Sequence, residues 1–169
     1  MQKIRPIVVA LACAGVVAAG IGAYWVTSAN EVVPSVAYTL LDGTRGDTGR
    51  LNGKVTLINF WATSCVTCMK EMPQLVATHR KYQARGYDTL AVAMQYDPPA
   101  YVARYAATRA LPFGVAIDNT GAIAKGFGDV QITPTTLLVD KRGRIVKRFV
   151  GEPDFPSLHL LVEKLLAEA

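Results

Sequence analysis

The sequence predicts an α/β domain in which a central, mostly parallel sheet with an antiparallel hairpin at one side (a mixed sheet) carries helices on both faces. Strand-like and helix-like stretches alternate along the chain as β-α-β-α-β-α-β-β-α, an order that requires crossover connections between parallel strands. Residues 89–94 form a near-continuous apolar run, which is typical of a strand buried on both faces. The polar residues 141–144 join two strand-like stretches at a length that favours a hairpin.

The first half of the domain contains two short strands, the central strand and the first helix. Residues 36–40 precede a turn signal and predict a short strand, and the Gly-rich stretch that follows has room for a second strand around residues 50–51. The apolar run 55–60 predicts the central strand. From Met69 onward apolar residues recur every three or four positions, which predicts a helix that ends at about residue 84.

The second half repeats the alternation and ends in a hairpin and a helix. Two prolines favour a helix start near residue 100. The last helix carries one apolar stripe and begins at Pro156 or Ser157. The elements expected here are strands at 89–94, 115–117, 135–140 and 145–150 and helices at 100–108, at 120–125 and over the C-terminal stripe.

The 169 residues divide into an N-terminal segment, residues 1–30, and a domain over residues 31–169. Residues 7–26 contain no charge and follow Lys3 and Arg5. A helix of this length spans roughly 30 Å, the thickness of a hydrocarbon core. We therefore expect an uncleaved signal-anchor helix, with a signal peptide cleaved after Ala29 as the alternative.

The charge distribution sets the expected location and excludes one class of partner. Positive residues precede the apolar span, so we expect the domain outside the cytoplasm, which in a bacterium is the periplasm, anchored to the inner membrane. The net charge is +5, and removing the two basic residues of the N-terminal segment leaves 16 basic against 13 acidic residues. A nucleic-acid surface needs a larger basic patch with interleaved aromatic residues, so we expect no nucleic-acid partner.

Cys65 and Cys68 are expected where the central strand gives way to the helix. Unpaired amides and the positive end of the helix dipole stabilise a thiolate at such a position. Cys65 is nearer the exposed end and is predicted to be the nucleophile. Cys68 lies one turn further on the same helix face, which suits it to cleave the mixed disulfide formed by Cys65. A bridge between these cysteines closes almost no loop, so the pair is predicted to be redox-active rather than structural.

Glu71 follows Cys68 by three residues and shares its helix face. A carboxylate there could take the proton from Cys68 when that thiol attacks. The alternative is that Glu71 is a solvated first-turn charge favoured by the helix dipole.

Four stretches of the chain together resemble a known family. They are Phe60-Trp61-Ala62-Thr63, Cys65-Val66-Thr67-Cys68, Lys70-Glu71-Met72-Pro73 and Thr133-Pro134-Thr135-Thr136-Leu137-Leu138-Val139-Asp140. In this combination the sequence resembles the TlpA/ResA-like branch of membrane-anchored periplasmic thioredoxins, from about residue 33 to the C-terminus. The resemblance implies a thioredoxin-like fold and a thiol-disulfide oxidoreductase.

The resemblance also implies roles for individual residues. Thr133–Pro134 should be a cis peptide bond, with the Thr133 backbone facing Cys65 and free to pair with an extended substrate segment. Trp61 is expected to pack beside the site, in the substrate-binding group with Thr133 and Pro134. Glu71 is implied to tune Cys68, and no cofactor is expected beyond the redox-active disulfide. Ser64 and the pair Val66-Thr67 depart from the residues of many relatives, so no relative's reduction potential applies directly.

Three hypotheses about function follow. The first is a reductant of disulfide-containing periplasmic proteins, with apocytochrome c or copper-site assembly proteins as clients and a membrane electron-relay protein as the reductant of the pair. The second is a copper-binding assembly chaperone, in which His79 or His159 joins the cysteines. The third is a dithiol oxidase, because the same pair can donate a disulfide if its potential is high.

Overall fold

A five-stranded mixed sheet forms the centre of the domain. The structure, a computed structural model, describes residues 31–168. In chain order the elements are β1 (Ala37–Thr39), β2 (Arg45–Asp47), β3 (Val55–Trp61), α1 (Val66–Tyr82), β4 (Tyr87–Ala93), α2 (Pro99–Thr108), β5 (Gly114–Ile117), α3 (Ala122–Gly126), β6 (Thr135–Val139), β7 (Ile145–Val150) and α4 (Phe155–Ala167). The predicted alternation of strands and helices is confirmed.

The strand order in the sheet is β5-β4-β3-β6-β7. Strands β3, β4 and β5 are parallel, whereas β6 pairs antiparallel with β3 and β7 pairs antiparallel with β6. Phe60 near the end of β3 lies opposite Thr135 at the start of β6. The helix that follows β3 and the loop that precedes β6 therefore meet at the same edge of the sheet, which places the cysteines and Pro134 at one end of the domain.

The sheet is covered on both faces, as predicted. Side chains of β3 alternate between the two faces: Leu57 and Trp61 pack with residues of α1, α2 and α4, whereas Ile58 and Phe60 pack with residues of α3. All four side chains are fully buried. Burial on both faces explains why the central strand reads as a continuous apolar run.

The second strand lies elsewhere than predicted. It is Arg45–Asp47, paired antiparallel with β1, and residues 48–50 form a 3₁₀ turn instead of a strand. Asp47 caps this turn by accepting a hydrogen bond from a backbone amide at 2.7 Å. Gly46 leaves room for the Tyr38 ring, since a Cβ atom at this position would lie 2.4 Å from that ring. The glycines of this stretch therefore concealed strand β2 in the sequence, although Gly46 has a place in that strand beside the Tyr38 ring.

Other boundaries differ from the predictions by a few residues. Strand β4 begins at Tyr87 rather than at residue 89. Helix α1 ends at Tyr82, and a 3₁₀ turn then leads to Gly86 at a φ of 89°. Helix α4 begins at Phe155, because the Asp154 carboxylate caps it by accepting a hydrogen bond from a backbone amide at 3.0 Å.

The predicted signal anchor and its alternative cleavage site fall in residues 1–30, outside the described residues. Among residues 31–168, no helix combines the length and the apolar character needed to cross a membrane.

Candidate active site

The two cysteines form a disulfide at the start of α1. Cys65 is the N-cap residue of the helix, and its sulfur accepts a hydrogen bond from the amide of Cys68 at 3.1 Å. Cys65 is half-buried, whereas Cys68 is fully buried. The carboxyl end of β3 delivers the pair to this position, since only Ala62, Thr63 and Ser64 separate the strand from Cys65.

The two sulfurs differ in the stabilisation of a thiolate and in access to a partner protein. The amide that bonds the Cys65 sulfur is one of the unpaired donors of the helix N-terminus, and it would stabilise a thiolate after reduction. Cys65 can meet a partner protein, while Cys68 can reach only groups inside the domain. The predicted division into a nucleophile and a resolving thiol needs such an arrangement, and the roles themselves stay predictions.

Glu71 is fully buried, one helical turn beyond Cys68. Its Oε1 accepts a hydrogen bond from the Asn59 Nδ2 at 2.9 Å, and its Oε2 has no hydrogen-bond partner among the described residues. Burial raises the pKa of Glu71 to about 7; the Asn59 hydrogen bond lowers this pKa, and the charge of Glu152 raises it further. The alternative of a solvated first-turn charge does not fit a carboxyl group without solvent exposure.

Asn59 and Thr136 belong to this buried polar group and were not predicted as site residues. The Nδ2 of Asn59 donates to Glu71 and also to the Thr136 Oγ1, at 2.9 Å each. All three side chains are fully buried. The group joins α1 to β6 across β3, so it links the cysteine helix to the strand that follows Pro134. An amide in the middle of an apolar strand was the available signal, because buried polar groups require partners.

The loop before β6 contains the predicted cis peptide bond between Thr133 and Pro134. Pro134 is buried, and Thr133 is half-buried. Among the described residues, no backbone group forms a hydrogen bond with the amide or carbonyl of Thr133. The Tyr96 hydroxyl lies 3.3 Å from the Thr133 Oγ1, so the loop after β4 contacts this loop.

Trp61 lies in the core beneath the site. It is fully buried, in one cluster with Cys68 and Met72, and its ring centre is 5.4 Å from that of Tyr105. This position agrees with packing beside the site. In this conformation Trp61 presents no surface to a substrate, and a substrate-binding role for it stays a prediction.

Asp97 is a further residue that sequence reasoning did not single out. It is buried in the loop after β4 and accepts hydrogen bonds from the amide of Thr63, at 2.6 Å, and from the Thr63 hydroxyl. Thr63 precedes Cys65 by two residues. Asp97 therefore fixes the segment that carries the exposed cysteine to the rest of the domain.

The two histidines that the copper hypothesis named have other partners. The His79 Nδ1 lies 3.2 Å from the Thr89 Oγ1, and the His159 Nε2 lies 2.9 Å from the Thr78 Oγ1. Burial lowers the pKa of both imidazoles. Within residues 31–168, no group of three or more His, Cys, Asp or Glu side chains is placed to hold a metal ion.

Comparisons with known proteins identify similar chains. Residues 28–160 match the family model described as Redoxin. Over 132 residues the chain is 32% identical to a protein named thiol-disulfide oxidoreductase ResA from Bacillus thuringiensis subsp. konkukian, a match that covers 78% of this chain and 75% of the relative.

Two solved structures share the architecture. One, described as a thioredoxin from Neisseria meningitidis, has a TM-score of 0.77 and 37% identity, covering 83% of this chain and 93% of that one. The other, described as a thiol:disulfide interchange protein DsbE from Chlorobium tepidum, has a TM-score of 0.75 and 26% identity, covering 82% of this chain and 97% of that one.

Proposed function

The chain belongs to the Redoxin family, and we propose that this thiol-disulfide oxidoreductase works mainly as a reductant of protein disulfides outside the cytoplasm. The predicted thioredoxin-like fold and oxidoreductase class are confirmed by the family match and the ResA relatives. The direction of transfer, the clients and the location are the proposed part. One observation supports the reaction most directly: the half-buried Cys65 sulfur at a helix N-terminus is linked to the fully buried Cys68.

The first step is attack of the reduced Cys65 thiolate on a client disulfide. A bond forms between Cys65 and one client sulfur, the client S–S bond breaks, and the departing client sulfur takes a proton from solvent. The unengaged Thr133 backbone supports this step, since an extended client segment could pair with it by strand addition.

The second step releases the client. Cys68 gives its proton to the ionised Glu71 carboxylate and attacks the Cys65 sulfur, so the mixed disulfide breaks and the Cys65–Cys68 disulfide re-forms. The second client sulfur leaves as a thiolate and takes a proton from solvent, so the client is released as a dithiol. Two electrons have then passed from the pair to the client. Glu71 suits the proton transfer because burial raises its pKa to about 7, so it can both accept and release a proton near neutral pH.

A membrane electron-relay protein would return two electrons to the oxidised pair. The uncharged segment 7–26 supports an inner-membrane anchor that would keep the domain close to such a relay. The resemblance to TlpA/ResA-like thioredoxins supports apocytochrome c and copper-site assembly proteins as clients.

The reduction potential of the Cys65–Cys68 pair tests the direction of transfer. It is measured by equilibrating the full-length protein with glutathione redox buffers. We expect a value close to that of thioredoxin, about −270 mV. A value near that of the strong oxidant DsbA, about −120 mV, would instead make the protein a disulfide donor.

Two serine variants test the order of the steps. Cys65→Ser should abolish reduction of a disulfide-bonded protein, whereas Cys68→Ser should accumulate a mixed disulfide with it, visible by mass spectrometry. A Cys65→Ser protein that still reduced the substrate would contradict the proposed mechanism.

A further inference from the structure

An open cleft of about 690 Å³ reaches as far as Ser64, the residue before Cys65. One wall contains Thr63 and Ser64, the two residues before Cys65. The opposite wall is formed by the loop that precedes α2 and by one face of α2. The cleft therefore begins at the residue next to the reactive sulfur.

The α2 side of this cleft is aromatic and cationic. Tyr101, Arg104 and Tyr105 follow the three- and four-residue spacing of one helix face. The residues Tyr96 and Tyr101 are 56% and 64% exposed, and Arg104 is exposed as well. Exposed tyrosines offer a large amphipathic contact surface that loses little conformational entropy on binding. We call this surface, made by Thr63, Ser64, Tyr96, Tyr101, Arg104 and Arg109, the Tyr/Arg cleft.

The two arginines of the Tyr/Arg cleft carry a positive charge that is not paired with a carboxylate of the described domain. In the described part of the chain, neither Arg104 nor Arg109 forms a salt bridge. The Arg109 guanidinium lies 5.9 Å from the centre of the Tyr105 ring. The carboxylate that lines the cleft, Asp97, is directed at Thr63 and accepts two hydrogen bonds from it. Both guanidinium groups are therefore open to a carboxylate from outside, which arginine binds with paired hydrogen bonds.

The cleft is continuous with the proposed substrate loop. Tyr96 lines the cleft, and its hydroxyl lies 3.3 Å from the Thr133 Oγ1. A segment that pairs with Thr133 and presents a sulfur to Cys65 would therefore pass Tyr96 and enter the cleft. The ten residues of α2 extend about 15 Å, a length that about five residues of extended chain would follow.

We propose that the Tyr/Arg cleft binds an acidic, extended segment of the client, with at least one carboxylate within about five residues of the cysteine that Cys65 attacks. The occupant is a protein segment, because the cleft continues from the loop that pairs with backbone, and it is acidic because both arginines lack an internal counterion. The inference rests on the proposed function, since it names the chemistry of the client.

Binding is measured first, because it needs no redox reaction. Two ten-residue peptides carry serine in place of the target cysteine. One has three Asp or Glu residues beside that position, and its twin has Asn and Gln instead. The dissociation constant for full-length oxidised protein is measured by fluorescence anisotropy at low salt. We expect the acidic peptide to bind at least ten-fold more tightly than its twin, and the difference to shrink with added salt.

Arginine variants locate the binding site. Arg104→Gln combined with Arg109→Gln should remove most of the preference for the acidic peptide. Arg80→Gln is the control, because this exposed arginine lies roughly 22 Å along α1 from Cys65. Charge reversal at both cleft positions, Arg104→Glu with Arg109→Glu, should create a preference for a Lys-containing peptide, an outcome that loss of folding cannot produce.

A second measurement separates this inference from the proposed function. In the same two peptides the target cysteine is restored as part of a disulfide, and each peptide is mixed with reduced protein. The rate at which its disulfide is reduced is compared with the rate for a small uncharged disulfide compound. Equal binding of the two peptides, or a preference that survives in the cleft variant, would overturn the inference. Tight binding of the acidic peptide without reduction of any disulfide would support the cleft and overturn the reductase.

Discussion

At the scale of single residues, Glu71 shows how burial changes the chemistry of a carboxyl group. It is fully buried, with one hydrogen bond from Asn59 and no second partner among the described residues. Its pKa, raised to about 7, means that the folded protein holds a proton that the unfolded chain releases near pH 4.5. Stability should therefore fall as pH rises through this interval, because the unfolded state binds fewer protons there.

Glu71→Gln removes this dependence. At pH 4 the oxidised variant and the oxidised wild type should have similar free energies of unfolding. Above pH 7 the variant should be more stable by about 3 kcal/mol, the value of a shift of roughly two and a half pKa units. Urea denaturation between pH 4 and pH 8 measures the difference, and a difference independent of pH would contradict the assignment.

Asp97 is predicted to hold the segment before Cys65 in place. Asp97→Ala leaves the Thr63 amide and hydroxyl without their partner, and the free energy of unfolding should fall by about 1–3 kcal/mol. Thr63→Val is the matched control, since it keeps the amide hydrogen bond and should cost less. A variant as stable as wild type in urea denaturation would show that the contact is not needed.

The sequence predicted the candidate reactive cysteines but not the buried polar residues that hold the site in place. The spacing of Cys65 and Cys68 identifies them as a candidate redox pair, and the family resemblance identifies Pro134 as a member of the same site. Asn59 and Asp97 act through partners that lie far along the chain, Thr136 for Asn59 and Thr63 for Asp97. Only the folded sheet brings such pairs together, so a polar residue in an apolar context predicts that a partner exists without identifying it.

At the scale of secondary structure elements, Asp140 organises the β6–β7 hairpin. Its Oδ1 accepts hydrogen bonds from the amides of Arg142 and Arg144, at 2.9 Å each, and its Oδ2 accepts one from the Arg144 Nε at 2.8 Å. The pKa of Asp140 is lowered overall: burial, the largest single influence, raises it, but the hydrogen bonds and charge of Arg144 outweigh burial. The stability that Asp140 supplies should be present above its ordinary pKa and lost in acid.

Asp140→Ala should lower the free energy of unfolding by about 1–3 kcal/mol at pH 7. The difference from wild type should shrink as the pH falls below 4, because the carboxylate then gains a proton first in the unfolded chain and only in stronger acid in the folded protein. Asp140→Asn keeps an oxygen acceptor and should lose less. Denaturation curves at pH 7 and pH 3 make the comparison, and an equal loss at both pH values would show that the charge of Asp140 does not contribute.

Helices and strands with a clear hydrophobic pattern were predicted correctly, whereas strand β2, which has no such pattern, was placed at the wrong residues. The 3.6-residue spacing of α1 and the apolar runs of β3 and β4 carry their own signal. Strand β2 has no such signal, because its three residues are Arg45, Gly46 and Asp47. It pairs with β1, and Gly46 leaves room there for the Tyr38 ring.

At the scale of the whole molecule, the alternation of elements predicted the mixed sheet but not the order of its strands. The position of β3 between β4 and β6 is set by the packing of the whole chain and not by local sequence patterns. It places the end of β3 and the start of β6 side by side, and so assembles a site from Cys65 and Pro134, which are far apart in the chain.

The stability of the whole domain should depend on the state of its disulfide. In a reductant the oxidised protein is more stable to unfolding than the reduced protein, whereas in a strong oxidant such as DsbA the reduced form is stabilised. We therefore expect the oxidised protein to unfold at a higher denaturant concentration than the reduced protein. The two transitions are measured at one pH with and without reductant, and the opposite order would indicate a disulfide donor.

The burial of Glu71 keeps one proton of the proposed cycle inside the protein. The proton that Cys68 gives up would arrive on a carboxyl group that is fully buried in the oxidised protein. When the pair is reduced again, Cys68 leaves the disulfide as a thiolate and takes this proton back. Glu71 is then ready to accept the proton again at the next client, so Cys68 can complete the cycle without exchanging a proton with solvent.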